Sequence, residues 1–341
     1  MSDFAQTGLI STLQWLGENP RLELELTELA EQRPIALVLP SLGGDLEEAA
    51  FGGIIHALSG ATFLREIVVS VNAASESQLA SARARCAVLP QTVTFLPTDD
   101  GEQSGHASGG KGQNVAAAVR YLAEQGECRI IATQDCDVTS FRRADLARLC
   151  YAVAHPDLGY RLAKMYYSRV TDRLYGRVSR LFLAPLLQAI VRLVGHQPLV
   201  DFLLSFRYPL AGEVALTLEL ATNLPLSAGW KLEIGQLCEV FRRVEPREIC
   251  QVGGSSGYDH RHHSAATSLT QMVAEIAAEL LRQLELEGIG REPTFRSALS
   301  GAYRREATHA LRRSLHLAQM NGLAFDEAEE RAIIGTFAAQ L

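Results

Sequence analysis

The chain has 341 residues, 47% of them hydrophobic and 21% charged, with a formal net charge of −7. That balance excludes a disordered or low-complexity chain, and its acidic sign argues against general nucleic-acid binding through phosphates. The longest apolar run, 181–194, is interrupted by Gln188 and Arg192 and falls short of the ~18–20 residues of a membrane span.

The opening residues MSDFAQTG lack a basic segment followed by an apolar one, so no signal peptide is expected. Cys86, Cys128, Cys136, Cys150, Cys238 and Cys250 are scattered without a CxxC pair. They read as reduced thiols of a cytoplasmic protein, with neither a disulfide framework nor a zinc site.

In chain order, residues 8–32 read as a helical extension with Leu, Ile and Trp15 on one face. Residues 35–39 (IALVL) form a continuous apolar run, as expected of a strand buried on both faces. A helix at 46–59, a strand at 66–71, a helix near 76–86 and a strand at 92–96 follow. A polar, Gly-rich stretch, 99–112, leads to a helix at 113–124 and a fourth strand at 129–133. This alternation predicts an α/β fold with a doubly wound, mostly parallel sheet, whose ligands bind beyond the carboxyl ends of the strands. Further on, 160–168 reads as a strand, 172–194 as one long helix with Pro185 at a kink, 231–243 as a helix and 247–252 as a short strand. From Ser264 the chain reads as wholly helical. Leu269, Met272, Val273, Ile276, Leu280, Leu281 and Leu284 follow one helix face there. The expected division is an N-terminal helical extension (1–32), an α/β half (33–140), a second half (141–263) and a C-terminal helical region (264–341). The apolar surface of the late helices suggests a homodimer.

Asp135-Cys136-Asp137 ends the fourth strand. Two carboxylates at i and i+2 can reach one Mg²⁺ or Mn²⁺ and the diphosphate it bridges, although the same triplet also occurs in solvated turns. Gly109-Gly110-Lys111-Gly112 opens a helix. Its glycines admit a phosphate to the backbone and its lysine adds a charge, but the spacing is not that of a Walker A loop. Asp259-His260-Arg261-His262-His263 could complete a metal site or form a surface cluster. Glu213 and Glu233, flanked by glycine and apolar residues, could each bind a sugar hydroxyl or pair structurally. Arg161, Lys164, Arg169, Arg173, Arg177 and Arg180 face a single acid, Asp172, within 161–180. The spacing puts Arg173, Arg177 and Arg180 on one helix face, suited to an anionic small molecule or to acids at an interface.

The order of these motifs resembles the retaining glucosyl-3-phosphoglycerate synthases. They are GT-A-fold glycosyltransferases related to the mannosylglycerate and glucosylglycerate synthases. A strand ending in Pro-x-Leu, a GKG loop, an Asp-x-Asp strand end, GRVS, PLxGE, G-x-x-x-E-I-G and a late His-Arg follow one another over 35–263. The resemblance implies a GT-A fold with a C-terminal helical extension, and transfer of glucose from UDP-glucose or another nucleotide-glucose to 3-phosphoglycerate. Pro40 and Leu42 would line the uridine pocket, Lys111 would contact the nucleotide, and Asp135 would lie near ribose and uracil. Asp137 and His260 would hold Mg²⁺ or Mn²⁺. Leu210, Gly212 and Glu233 would surround the donor sugar, and Asp137, Lys111 and Glu233 would carry catalysis. Arg177, Ser179 and His262 would hold the acceptor.

The chain also departs from that pattern. Gly43-Gly44-Asp45 stands where the family has Asn-Glu, leaving Asp45 as the substitute ribose contact. Asn72-Ala73-Ala74-Ser75 replaces Asp-Ser-x-Ser, Ser179 stands for Thr, and His262 for Asn. The segment before His260 is about one residue longer. Other readings are a synthase using free glycerate or GDP-mannose, a nucleotidyltransferase, and a non-catalytic protein on a transferase scaffold. A nucleotidyltransferase would carry a basic Gly-rich loop after the first strand, where Pro40-Ser41-Leu42-Gly43-Gly44 stands.

Overall fold

The computed structural model describes residues 6, 8–98, 110–255, 257 and 266–341. In chain order the first half runs β1 (Ser11–Leu13), α1 (Leu22–Gln32), β2 (Ile35–Leu42), α2 (Ala49–Leu58), β3 (Leu64–Asn72), α3 (Glu76–Cys86), β4 (Thr92–Pro97), α4 (Lys111–Gln125), β5 (Ile130–Thr133) and α5 (Arg143–Ala154). The second half runs β6 (Leu162–Tyr166), a π-helical turn (Val178–Leu183), α6 (Ala184–Val194), α7 (Pro198–Ser205), β7 (Val214–Thr217), α8 (Leu218–Asn223), α9 (Leu232–Arg243) and β8 (Ile249–Gly253). Three long helices close it: α10 (Ala266–Leu286), α11 (Pro293–Met320) and α12 (Glu327–Ala338).

The described strands form one eight-stranded sheet in the order β1-β8-β6-β7-β5-β2-β3-β4. Neighbours are parallel except β7, which runs antiparallel to both β5 and β6. β2 sits between β5 and β3, and the period-2 alternation of a strand divides its residues between two cores. Ile35, Leu37 and Leu39 pack with Phe51, Ile54 and Leu146 of α2 and α5 on one face. Ala36 and Val38 pack with Val115, Ala118 and the C-terminal helices on the other. The expected α/β architecture, mostly parallel with a helical C-terminal region, is therefore present.

Several local expectations need correction. Residues 8–32 are not one helix: Ser11–Leu13 is an edge strand pairing with Cys250–Val252 of β8. Three half-buried residues are too few for a periodicity to declare itself. Residues 172–194 are not one helix either. Helix begins as the π turn at Val178, after an isolated bridge between Val170 and Leu174, and Gly176 takes a left-handed φ of 69°. Pro185 is the second residue of α6, directly after the π turn, so it lies where the helix changes pitch, and the Leu181 carbonyl left free by its missing N–H accepts from Tyr303 Oη at 2.8 Å. The apolar stripe of α10 is buried within the chain: Val273, Ile276, Leu280, Leu281 and Leu284 belong to the same core as Leu237 and Leu299.

The carboxyl end of β2 is tied to its neighbours by a buried amide. Asn114, in the first turn of α4 and 1% exposed, donates through Nδ2 to Ser41 O (2.9 Å) and accepts from Thr98 Oγ1 (2.5 Å). Its own carbonyl accepts from Ser70 Oγ of β3 (2.9 Å). Asn114→Ala leaves a buried carbonyl and a buried hydroxyl without their partner, which should cost ~1–3 kcal/mol. Urea unfolding of the variant measures this, and an unchanged midpoint would show that the amide is not needed to hold the strand end.

Candidate active site

Lys111 is the first residue of α4. Its Nζ lies 2.5 Å from Asp135 Oδ1, just past the end of β5, and 2.8 Å from Glu233 Oε1 in the first turn of α9. The three side chains are only 11–20% exposed. Burial alone would lower the Lys111 pKa, but the two carboxylates more than offset it and hold the ammonium well above the usual lysine value. The cluster therefore carries one fixed cation between two anions, on an edge where a parallel sheet presents its ligand site.

Glycines make this approach possible. A Cβ at Gly212 would overlap Lys111 Nζ and both oxygens of Asp135, and one at Gly112 would overlap the Ser227 carbonyl. The GKG signal thus serves close packing of the α4 N-terminus against the 227–229 backbone as much as access for a ligand. Gly212 belongs to the segment entering β7. Because β7 is antiparallel, its beginning lies beside the end of β5, with Thr133 opposite Val214. Thr133 Oγ1 donates to Gly212 O at 2.6 Å.

Beneath this segment lies Lys164 of β6, which is fully buried and donates from Nζ to Ala211 O at 2.5 Å. Glu213, also fully buried, accepts from Tyr167 Oη (2.8 Å) and Gln134 Nε2 (3.2 Å). Of the two acids left open between sugar contact and structural pairing, Glu213 is thus committed to internal bonds, while Glu233 faces Lys111. Lys164, Gln134, Thr133 and Tyr167 were not singled out for this anchor from the sequence. A lysine inside the apolar run RLAKM was the available signal, because such a strand lysine needs an internal partner.

Beyond β5, Asp137 lines a cleft of about 180 Å³ with Asp45, Glu48, Ala49, Ala50, Cys136 and Thr139. Asp45 Oδ2 accepts from the Leu42 N–H at 2.8 Å, so the substitute acid is held at the end of β2. Pro40 is buried within β2, Leu42 is 54% exposed at its end, and Leu210 packs half-buried against the core. A divalent cation fits the chemistry of this cleft, because Asp137 supplies the hard oxygen that Mg²⁺ or Mn²⁺ prefers. Among the described residues no three His, Cys, Asp or Glu side chains gather into a metal cluster. His260 and His262, expected as metal ligand and acceptor contact, lie outside the described residues.

The basic stretch does not form one face. Lys164 is interior, Arg161 reaches Glu219 (3.6 Å), Arg173 pairs with its neighbour Asp172 (3.3 Å), and Arg169 bonds Tyr208. Arg177 meets Glu330 (2.8 Å) and Glu329 (2.7 Å), and Arg180 meets Glu330 (2.5 Å). The partners come from α12, far along the chain, so a local charge count cannot see them. Arg169 connects the two regions: it lies in the field of Asp137 and its side chain packs beside Gly176, just before Arg177. Ser179 is half-buried in the π turn.

Burial pushes the Lys164 pKa down from 10.5 to about 8, with the Lys111 charge adding to the effect and Glu233, Glu213 and Asp135 opposing it. Between those values the unfolded chain binds more protons than the native one, so this residue's contribution to stability rises with pH. Compared with Lys164→Met, the parent protein should gain on the order of 3 kcal/mol between about pH 8 and 10.5. Parallel stability–pH curves for the two proteins would show that Lys164 does not titrate there.

A scan of protein-family models finds no match. Among curated proteins, the chain is 33% identical to glucosyl-3-phosphoglycerate synthase of Persephonella marina, over 99% of this chain and 88% of that protein. It is 28% identical to the Methanococcoides burtonii protein of the same name, over 98% and 87%. Among solved structures it resembles glucosyl-3-phosphoglycerate synthase of Mycobacterium tuberculosis in complex with phosphoglyceric acid (TM-score 0.65, 24% identity, 81% of this chain and 88% of that one). The same enzyme in complex with Mn²⁺, UDP and glucosyl-3-phosphoglycerate gives a TM-score of 0.64 at 24% identity, over 80% and 87%. The structural likeness establishes the GT-A fold, and the near-complete match to the Persephonella enzyme establishes the lineage: the chain belongs to the glucosyl-3-phosphoglycerate synthase family.

Proposed function

We propose that this protein is a metal-dependent retaining glycosyltransferase that moves glucose from UDP-glucose to the 2-hydroxyl of 3-phosphoglycerate. The observation that carries the reading is the Lys111–Asp135–Glu233 cluster packed on Gly212 beside the Asp137 cleft, in a family whose solved members hold Mn²⁺ or Mg²⁺ with UDP. UDP-glucose and phosphoglyceric acid occur together with Mn²⁺ in the M. tuberculosis enzyme.

In this reading Asp135 and Asp45 take the ribose and base, with Pro40 and Leu42 walling the uridine. Asp137 and His260 would hold the cation, which supplies Lewis-acid neutralisation of the departing diphosphate. Lys111 is held protonated, so it adds fixed positive charge where negative charge builds, without reorganising at the moment of reaction. Leu210, Gly212 and Glu233 surround the glucose, Gly212 by leaving room and Glu233 by accepting a hydroxyl hydrogen. Arg177, Ser179 and His262 hold the acceptor acid. Attack on the same face as the departing diphosphate, with a diphosphate oxygen taking the acceptor proton, is what the family resemblance implies.

We also propose a cytoplasmic location, supported by six free, buried cysteines; no described helix is long and apolar enough to cross a membrane. The proposed homodimer rests on less apolar surface than the helix pattern suggested, namely exposed Leu286, Leu317 and Met320. The division at residues 32, 140 and 263 is kept as a functional one, with a nucleotide-sugar-binding half (33–140) and an acceptor-binding half (141–263), since β1 of the first segment and β8 of the third share one sheet.

A donor-by-acceptor activity matrix with Mg²⁺, scored for nucleoside diphosphate release and product mass, tests the reaction. UDP-glucose with 3-phosphoglycerate should be the best pair, and equal rates on free glycerate would refute the phosphate preference. Asp137→Ala should remove ~2–4 kcal/mol of transition-state stabilisation, and a chelator should silence the parent enzyme. Near-normal turnover in either case would remove Asp137 from the metal site. Gly212→Ala should separate Lys111 from Asp135 and raise the KM for UDP-glucose more than that for the acceptor. A selective acceptor defect would instead assign Gly212 to the other substrate.

A further inference from the structure

Glu330 and Glu329 are adjacent in the first turn of α12, yet they meet Arg177 in different ways. Glu330 is 5% exposed in its side chain and bridges two arginines: Oε1 accepts from Arg177 Nε at 2.8 Å and Oε2 lies 2.5 Å from Arg180 Nη1. Arg180 is in turn fastened to the backbone, donating from Nε to Tyr175 O (3.1 Å) and from Nη2 to Leu174 O (3.2 Å). The segment leading into α12 is docked on the same loop, since Ala324 N–H donates to Asp172 O (3.1 Å). Glu329 differs. Its side chain is 44% exposed, and its Oε1 lies 2.7 Å from Arg177 Nη2.

We infer that the two carboxylates divide the control of Arg177: Glu330 is its permanent positioning partner, and Glu329 is a displaceable partner that competes with the acceptor anion. This rests on the proposed role of Arg177 in acceptor binding.

A guanidinium offers two edges to a two-pronged anion, Nε with Nη2 and Nη1 with Nη2. Nη2 belongs to both. A carboxylate or phosphate on Arg177 therefore takes Nη2 from Glu329 or sits beside its negative charge. Exchange is easy at Glu329, because an exposed ion pair contributes little. It is unfavourable at Glu330, because removing a buried carboxylate strands two guanidinium groups together. The pair thus keeps the arginine side chain in one orientation whether or not acceptor is bound, while its exposed partner makes weakly anionic or neutral molecules poor competitors.

The test is steady-state kinetics with Mg²⁺ and saturating UDP-glucose, varying 3-phosphoglycerate. Glu329→Gln should lower the acceptor KM by about threefold, the scale of one exposed ion pair, with kcat and the UDP-glucose KM unchanged. Glu330→Gln should raise the acceptor KM about tenfold or more, the scale of a charge-assisted hydrogen bond, and Glu330→Asp should recover part of the loss. If Glu330→Gln does not fold, the exposed Glu329→Gln decides the matter by itself. Arg177→Lys separates the two claims. If it raises the acceptor KM while Glu329→Gln leaves that KM unchanged or higher, the division of roles is wrong. If Arg177→Lys leaves the acceptor KM unchanged, the acceptor reading itself fails and this inference falls with it.

Discussion

The site depends on burying one ammonium, Lys111, between two carboxylates that come from different parts of the chain. Asp135 follows a sheet strand and Glu233 begins a helix about a hundred residues later. Neither carboxylate nor the ammonium would be tolerated alone at this depth. Their joint placement therefore requires three backbones to converge: the N-terminus of α4, the end of β5 and the start of α9. Gly112 and Gly212 remove the side chains that would keep those backbones apart. The same convergence brings Ala211 over Lys164, so a second buried cation lies just beneath the first. Lys164 is bonded to a carbonyl rather than to a carboxylate, and its lowered pKa reflects that poorer compensation.

The first half of the molecule was readable because its signals are local and strong. The apolar run at 35–39, the helix at 76–86 and the strand at 92–96 each stand between short loops, and the observed elements coincide with them within a few residues. Asp135, Asp137 and Lys111 were legible as a site because strand ends and glycine-flanked helix starts have recognisable positions. Glu233 and Gly212 gained meaning only from the ordered resemblance, since no local pattern joins residue 212 to residue 111. What escaped was set by distant partners. β7 has only four residues and runs directly into α8, and its strand character comes from pairing on both sides with β5 and β6. The arginine spacing implied a shared face only if 172–194 were one helix, but the chain is not helical before Arg177, where Gly176 turns it the other way, and Arg177 and Arg180 are held by acids of α12.

That arginine stretch also shows how little a count of charges says about free charge. Of the bases between 161 and 180, Arg161, Arg173, Arg177 and Arg180 already meet acids and Lys164 is sealed inside the sheet. The local excess of positive charge is a feature of the primary structure that the tertiary structure largely neutralises. If Arg177 receives the acceptor as proposed, an anionic substrate would enter a balanced environment rather than a broad attractive field.

The edge strand β1 has a consequence for how the chain reaches this state. Ser11–Leu13 pairs with Cys250–Val252, so a segment synthesised long before β8 has to wait for that strand before it finds its place. Such a non-local closure is slow, and until it happens β8 presents an open row of backbone donors and acceptors of the kind that invites pairing between chains. Three residues at the beginning of the sequence thus act as a latch on the finished sheet. Their loss would be felt first as aggregation during synthesis, while the Lys111–Asp135–Glu233 cluster, several strands away, would be formed as before.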